Sequence, residues 1–173
     1  LGASEWLLVD DQRAPHHCEM VADGVTGQTI PNNTGTNAEF SNVTIDNAGL
    51  ADLSNDQIVI RRAGTYVVTY NWGTNTGGQL QFMSANLNVG GSVVRGNGLL
   101  QAREITANVI LSGTTTLQLA ASTTLVPSLI QISADASSRT VGTTEGRRTR
   151  LSVIEMVVSV KMRTLVWAGP LLG

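Results

Sequence analysis

Ala63-Gly64-Thr65-Tyr66-Val67-Val68-Thr69-Tyr70-Asn71-Trp72 is the stretch that decides the fold. Tyr66, Val68, Tyr70 and Trp72 recur at period two, the spacing that puts alternate side chains of an extended chain on one face. Aromatic residues make up only 4% of the sequence, so collecting both tyrosines and one of the tryptophans on one face predicts a central core strand. Gly64 suits an entry needing positive φ or close backbone approach, and the turn-formers of residues 73–78 (GTNTGG) end the run.

Moving upstream, Ile58 and Ile60 share a face within residues 57–62, and residues 39–45 (EFSNVTI) alternate well enough for a strand closed by Asp46-Asn47-Ala48-Gly49. Residues 28–37 (QTIPNNTGTN) are polar and turn-forming. Downstream, residues 79–89 change phase, with Leu80 and Phe82 on one parity and Met83, Ala85, Leu87 and Val89 on the other. A bulge near Phe82 and Met83 reconciles the two sets. Gly90-Gly91 predicts a tight hairpin returning through Val93-Val94. Residues 105–111 and 114–121 read as two adjacent antiparallel strands joined by a turn at Ser112-Gly113. Pro127 then interrupts the chain before residues 128–134, where Ile130, Ile132 and Ala134 align. Residues 135–146 (DASSRTVGTTEG) read as a long polar contact loop. In residues 151–160, Leu151, Val153, Glu155 and Val157 face one way and Ile154, Met156, Val158 and Val160 the other. Such a strand is expected to be buried on both faces, between the core and a subunit interface.

The ends behave differently. Residues 5–10 (EWLLVD) form a first strand or an arm that docks Trp6 and Leu7 on a neighbour, and residues 11–27 read as loop. Residues 161–173 (KMRTLVWAGPLLG) carry Leu165 and Trp167 beyond the last expected strand. Docking as an arm or extra strand is favoured over a free tail, because exposing that apolar area is costly. The expected organisation is an arm and loop over residues 1–27, one sandwich domain over residues 28–160, and a C-terminal arm or strand over residues 161–173.

The 173 residues suffice for one domain with a substantial core. A single cysteine, Cys18, excludes an intrachain disulfide scaffold. A net charge of −2 with 14% charged residues offers no general attraction to nucleic acid or to an anionic membrane, and no apolar window reaches spanning length. Candidate chemistry is sparse. His16-His17-Cys18 are adjacent, so on an extended chain their side chains diverge, and no second ligand pair follows at metal-binding spacing. Gly90, Gly91, Gly96 and Gly98 precede neither a helix start nor a Lys-Ser/Thr pair, so no phosphate cradle is expected. With both histidines in one segment no Ser-His-Asp order is credible. These readings imply no enzyme, no cofactor and no metal. Glu155, set in an apolar strand, is the carboxylate to watch. It is expected to pair with Arg147, Arg148 or Arg150, or to face an interface, rather than to act in catalysis.

The order of elements resembles the trimeric jelly roll of tumour necrosis factor and the globular heads of the first complement component, in its bacterial and bacteriophage form. The resemblance rests on Gln28-Thr29-Ile30-Pro31, Phe40, Asp46-Asn47-Ala48-Gly49-Leu50, Ile58-Val59-Ile60, Ala63-Gly64-Thr65-Tyr66 and Trp72. It continues through Asn86-Leu87-Asn88-Val89-Gly90-Gly91, residues 111–117 and Leu151-Ser152-Val153-Ile154. Thr114 stands where the family usually carries an acidic residue. The resemblance implies an all-β, antiparallel jelly-roll β-sandwich with N- and C-terminal arms, trimerising through apolar sheet faces. It further implies a virion structural protein of a tailed bacteriophage, a capsid decoration or fibre-like subunit on the major capsid protein or other virion proteins. A receptor- or glycan-binding head using residues 135–146 is the alternative. Expected assembly contacts are Trp6, Leu7, Glu155, Met156, Val158, Leu165 and Trp167.

Overall fold

A computed structural model describes residues 13–22, 28–75, 80–94, 99–100, 109–133, 135–141 and 149–157. All regular structure in these residues is β. The chain forms β1 (His17–Val21), β2 (Thr29–Ile30), β3 (Thr36–Asn37), β4 (Asn42–Asp46), β5 (Ala51–Asp52) and β6 (Gln57–Val59). Two long strands follow, β7 (Gly64–Asn75) and β8 (Leu80–Val89), then the short β9 (Ser92–Val94) and β10 (Leu99–Leu100). The remainder comprises β11 (Val109–Leu119), β12 (Thr124–Ser133), β13 (Arg139–Val141) and β14 (Arg150–Glu155).

Two antiparallel sheets pack face to face as a jelly roll. In the first, β11 pairs with β7 from Gly64 to Thr74 along one side, and β14, β1 and β4 follow in that order on the other. β13 continues past β14 on β7 and carries β2. In the second sheet β8 pairs with β12. β9 and β10 line the outer side of β8, while β6 with β5, and β3, line that of β12. The core lies between the sheets, and Tyr66, Val68, Tyr70 and Trp72 enter it as the period-two pattern requires. Ile58, Ile60, Met83, Ala85 and Leu87 meet them from the second sheet.

Local chemistry explains the connections that sequence located. Gly90 and Gly91 take φ of 56° and 84° in the two-residue hairpin between β8 and β9, the left-handed region such a turn demands. Asp46 closes the turn after β4 by accepting the N–H groups of Ala48, Leu50 and Ala51 at 3.2, 2.9 and 3.0 Å. The bulge falls at Gln81, where Ile132 pairs with Phe82 and Ser133 with Leu80, just before the expected place.

Several expectations are corrected. Ser112-Gly113 is not a turn: β11 runs straight through it, and Gly113 pairs with Tyr70. A Cβ at Gly113 would come within 2.6 Å of the Tyr70 ring, so this glycine serves aromatic packing rather than chain reversal. Pro127 does not interrupt β12. Beyond β8, the neighbours of β12 are β6 at Thr124 and Leu125 and β3 at Ser128 and Leu129. Pro127 falls between them, and its carbonyl accepts the Ala38 N–H at 2.9 Å. Its missing N–H, on the same side as that carbonyl, therefore costs no ladder bond. The core face of β12 is Leu125, Leu129 and Gln131, whereas Ile130 and Ile132 lie half-buried on the other.

Residues 11–27 are not all loop. β1 inserts between β14 and β4 and buries Cys18 and Met20 completely, so the sandwich draws on chain before residue 28. Residues 28–37 contribute β2 and β3, and the expected loop of residues 135–146 contains β13. In the single chain β14 is buried on one face only: Leu151, Val153 and Glu155 point inward, and Ile154 and Met156 are exposed.

Candidate functional site

The outer face of the first sheet is the surface that β11, β7 and β14 build together. Pairing places Thr116, Val67 and Ile154 in one row across the three strands, and Thr114, Thr69 and Ser152 in the next. Ser112, Asn71 and Arg150 form a third row, Gln118 sits opposite Thr65, and Ile110 opposite Gly73. Met156 continues from β14, its N–H donating to the Thr65 carbonyl at 2.8 Å. Ile110, Ile154 and Met156 are 51%, 42% and 49% exposed, and Val67 lies half-buried among them. On the described part of β11 and β7 every outward residue is uncharged. Polar side chains there bond laterally: the Thr69 and Thr114 hydroxyls lie 3.2 Å apart, and the Gln118 amide donates to the Thr65 hydroxyl at 2.6 Å. Charge begins at the margin, where Arg150 lies 3.8 Å from Glu19.

Such a face has little desolvation penalty to overcome when it is covered by another protein surface. The Thr65, Thr69 and Thr114 hydroxyls already have partners, and its exposed side chains include two isoleucines and a methionine. The sequence signal for it was the second parity of the anchor strand, Thr65, Val67, Thr69 and Asn71, which is as free of charge as the core parity.

Glu155 marks one end of this face from below. Its side chain is 1% exposed, and Arg62 grips it through two N–H groups, one at 3.0 Å. Arg13 approaches to 3.6 Å and the His16 backbone N–H donates to Oε2 at 3.1 Å. A Cβ on Gly64 would lie 3.2 Å from Oε1, so close backbone approach is the property used there. Burial pushes the carboxyl pKa up, but the hydrogen bonds from Arg62 and the His16 amide, with the Arg62 charge, hold it below the ordinary glutamate value. The expected partners are thus corrected. Arg150 turns to Glu19, Arg147 and Arg148 lie outside the described residues, and among the described residues Glu155 pairs with Arg62, 93 residues away in the chain.

Of the remaining expected contacts, Met156 lies on the face, while Trp6, Leu7, Val158, Leu165 and Trp167 lie outside the described residues. Cys18 is fully buried, and burial, then Asp46 and Glu19, push its thiol up to about 12, which keeps it protonated. Among the described residues no group of three His, Cys, Asp or Glu side chains could hold a metal ion, and no helix is long and apolar enough to cross a membrane.

No protein-family model matches the sequence, and no curated protein matches it. Solved structures do match in fold. The globular domain of zebrafish complement 1qA superposes with a TM-score of 0.54 at 9% identity, over 84% of this chain and 99% of that one. Murine APRIL at pH 8.0 gives 0.57 at 10% identity, over 83% of this chain and 100% of that one. The same protein at pH 8.5 gives 0.56 at 8% identity with equal coverage. These likenesses establish the jelly-roll fold.

Proposed function

We propose that the chain is a non-enzymatic binding protein that assembles as a homotrimer through the outer face of the first sheet and acts by stoichiometric attachment. The observation that carries this reading is the outer face of β11, β7 and β14, uncharged on the described part of β11 and β7, with Ile110, Ile154 and Met156 exposed and the Thr65, Thr69 and Thr114 hydroxyls bonded laterally. An oligomer closed about an axis buries such a face without stranding charge. The fold shared with the complement 1qA globular domain and APRIL supports the same reading.

Within that class we assign the chain to a tailed-bacteriophage particle, as a capsid decoration or fibre-like subunit. Many copies binding the assembled shell would stabilise it by mass action. Light scattering on the purified protein is expected to return three times the chain mass, and a monomer at micromolar concentration would overturn the trimer. Particles carrying the subunit are expected to rupture at higher temperature than particles lacking it. Unchanged rupture with lost host attachment would point to a receptor-binding head instead, and absence of the chain from purified particles would refute both.

A further inference from the structure

One buried carboxylate meets the short segment ahead of β1 at several points. Residue 155 grips His16 twice: its backbone N–H donates to the His16 carbonyl at 2.8 Å, and its side chain accepts the His16 N–H at 3.1 Å. The same carboxylate attracts Arg13 at 3.6 Å and orients Arg62, whose Nη2, shared with Glu155 Oε2, also donates to the Ala14 carbonyl at 3.5 Å. The Asn47 side-chain amide adds a further hold, donating to the Pro15 carbonyl at 3.0 Å.

We propose that Glu155 is an acid-released fastener for residues 13–16, fixing the path by which the chain enters the sandwich. This does not rest on the assembly reading. Charged and titratable groups face the carboxylate from each packed element: Arg62 from the β6–β7 connection, Arg13 and His16 from the segment itself, and Tyr66 from β7, whose hydroxyl donates to the Arg62 carbonyl at 2.8 Å. Protonating Glu155 removes the negative charge that holds both arginines and leaves Arg62 leaning on a neutral group. The ladder between β14 and β1 carries no carboxylate in its hydrogen bonds, so the loss is local. The lowered carboxyl pKa agrees with a fastener that is closed at neutral pH.

Hydrogen exchange on the full chain tests this, with rates corrected for intrinsic chemistry. Between about pH 6 and an acid pH below the lowered folded value of the Glu155 carboxyl, protection of the His16 and Glu155 amides should fall about tenfold more than that of the β7–β11 ladder. E155Q should show the weakened segment at both pH values, and R62Q should weaken it already at the higher one. Equal protection of the wild-type segment at both pH values would overturn the proposal. So would a loss shared equally by the β7–β11 amides, or an acid transition that persists unchanged in E155Q. Should E155Q fail to fold, the wild-type and R62Q measurements decide alone.

Discussion

Gly113 on β11 lies directly opposite Tyr70 on β7, and the tyrosine ring occupies the space in which any side chain at position 113 would stand, 2.6 Å from an added Cβ. Tyr70 is 1% exposed and walled in by the core, so it cannot swing aside cheaply. Gly113→Ala should therefore destabilise the fold by about 2 kcal/mol through overpacking. Urea denaturation would measure it, and the cost should shrink in a Tyr70→Leu background, where the ring is gone.

Arg62→Met should destabilise by about 2 kcal/mol near neutral pH, because it leaves the Glu155 carboxylate buried without its main partner. The sign with pH follows from the lowered carboxyl pKa. The wild-type contribution is complete above the ordinary value of 4.5 and is lost as pH falls through the lower folded value. The gap between wild type and variant should therefore narrow in acid. Denaturation midpoints across that range check it, and a gap that widens would contradict the assignment.

Cys18 should resist thiol reagents in the folded protein and react promptly once denatured. It is 0% exposed and its thiol is pushed up to about 12, so neither access nor thiolate is supplied at neutral pH. A colorimetric thiol titration with and without denaturant is sufficient.

Ile154→Arg should convert the proposed trimer to monomer while changing the stability of the isolated chain by no more than about 0.5 kcal/mol, since the residue is 42% exposed and lies outside the core. The arginine would stand in the row with Val67 and Thr116, where a second surface would have to bury its charge. Light scattering and circular dichroism on the same sample separate loss of assembly from loss of fold.

Much of this architecture was legible residue by residue. The alternation of Tyr66, Val68, Tyr70 and Trp72 located the core face of β7, Gly90-Gly91 located the β8–β9 hairpin, and Asp46 to Gly49 the turn after β4. All three are local: each depends on what a few consecutive residues can adopt. The outer face of the first sheet was legible only in part. Met156 and the apolar outward parity of β14 were visible, but that Ile110, Thr114 and Thr116 lie beside Val67 and Ile154 depends on strands far apart in sequence.

By itself the sequence determined that this is an all-β chain with a period-two aromatic core and little catalytic chemistry, because side-chain alternation and turn-forming residues act over a few positions. Only the tertiary structure decided what Gly113, Pro127, Cys18 and Glu155 are for. A glycine reverses a chain or lies flat beneath a ring according to the strand opposite, and that strand carried Tyr70. A proline breaks a strand or sits harmlessly in it according to whether a neighbour needs its N–H, and at Pro127 the gap between β6 and β3 meant none did. Cys18 became core because β1 slots between β14 and β4, and Glu155 took Arg62 rather than Arg150 because inward-facing positions meet only what the sandwich brings to them.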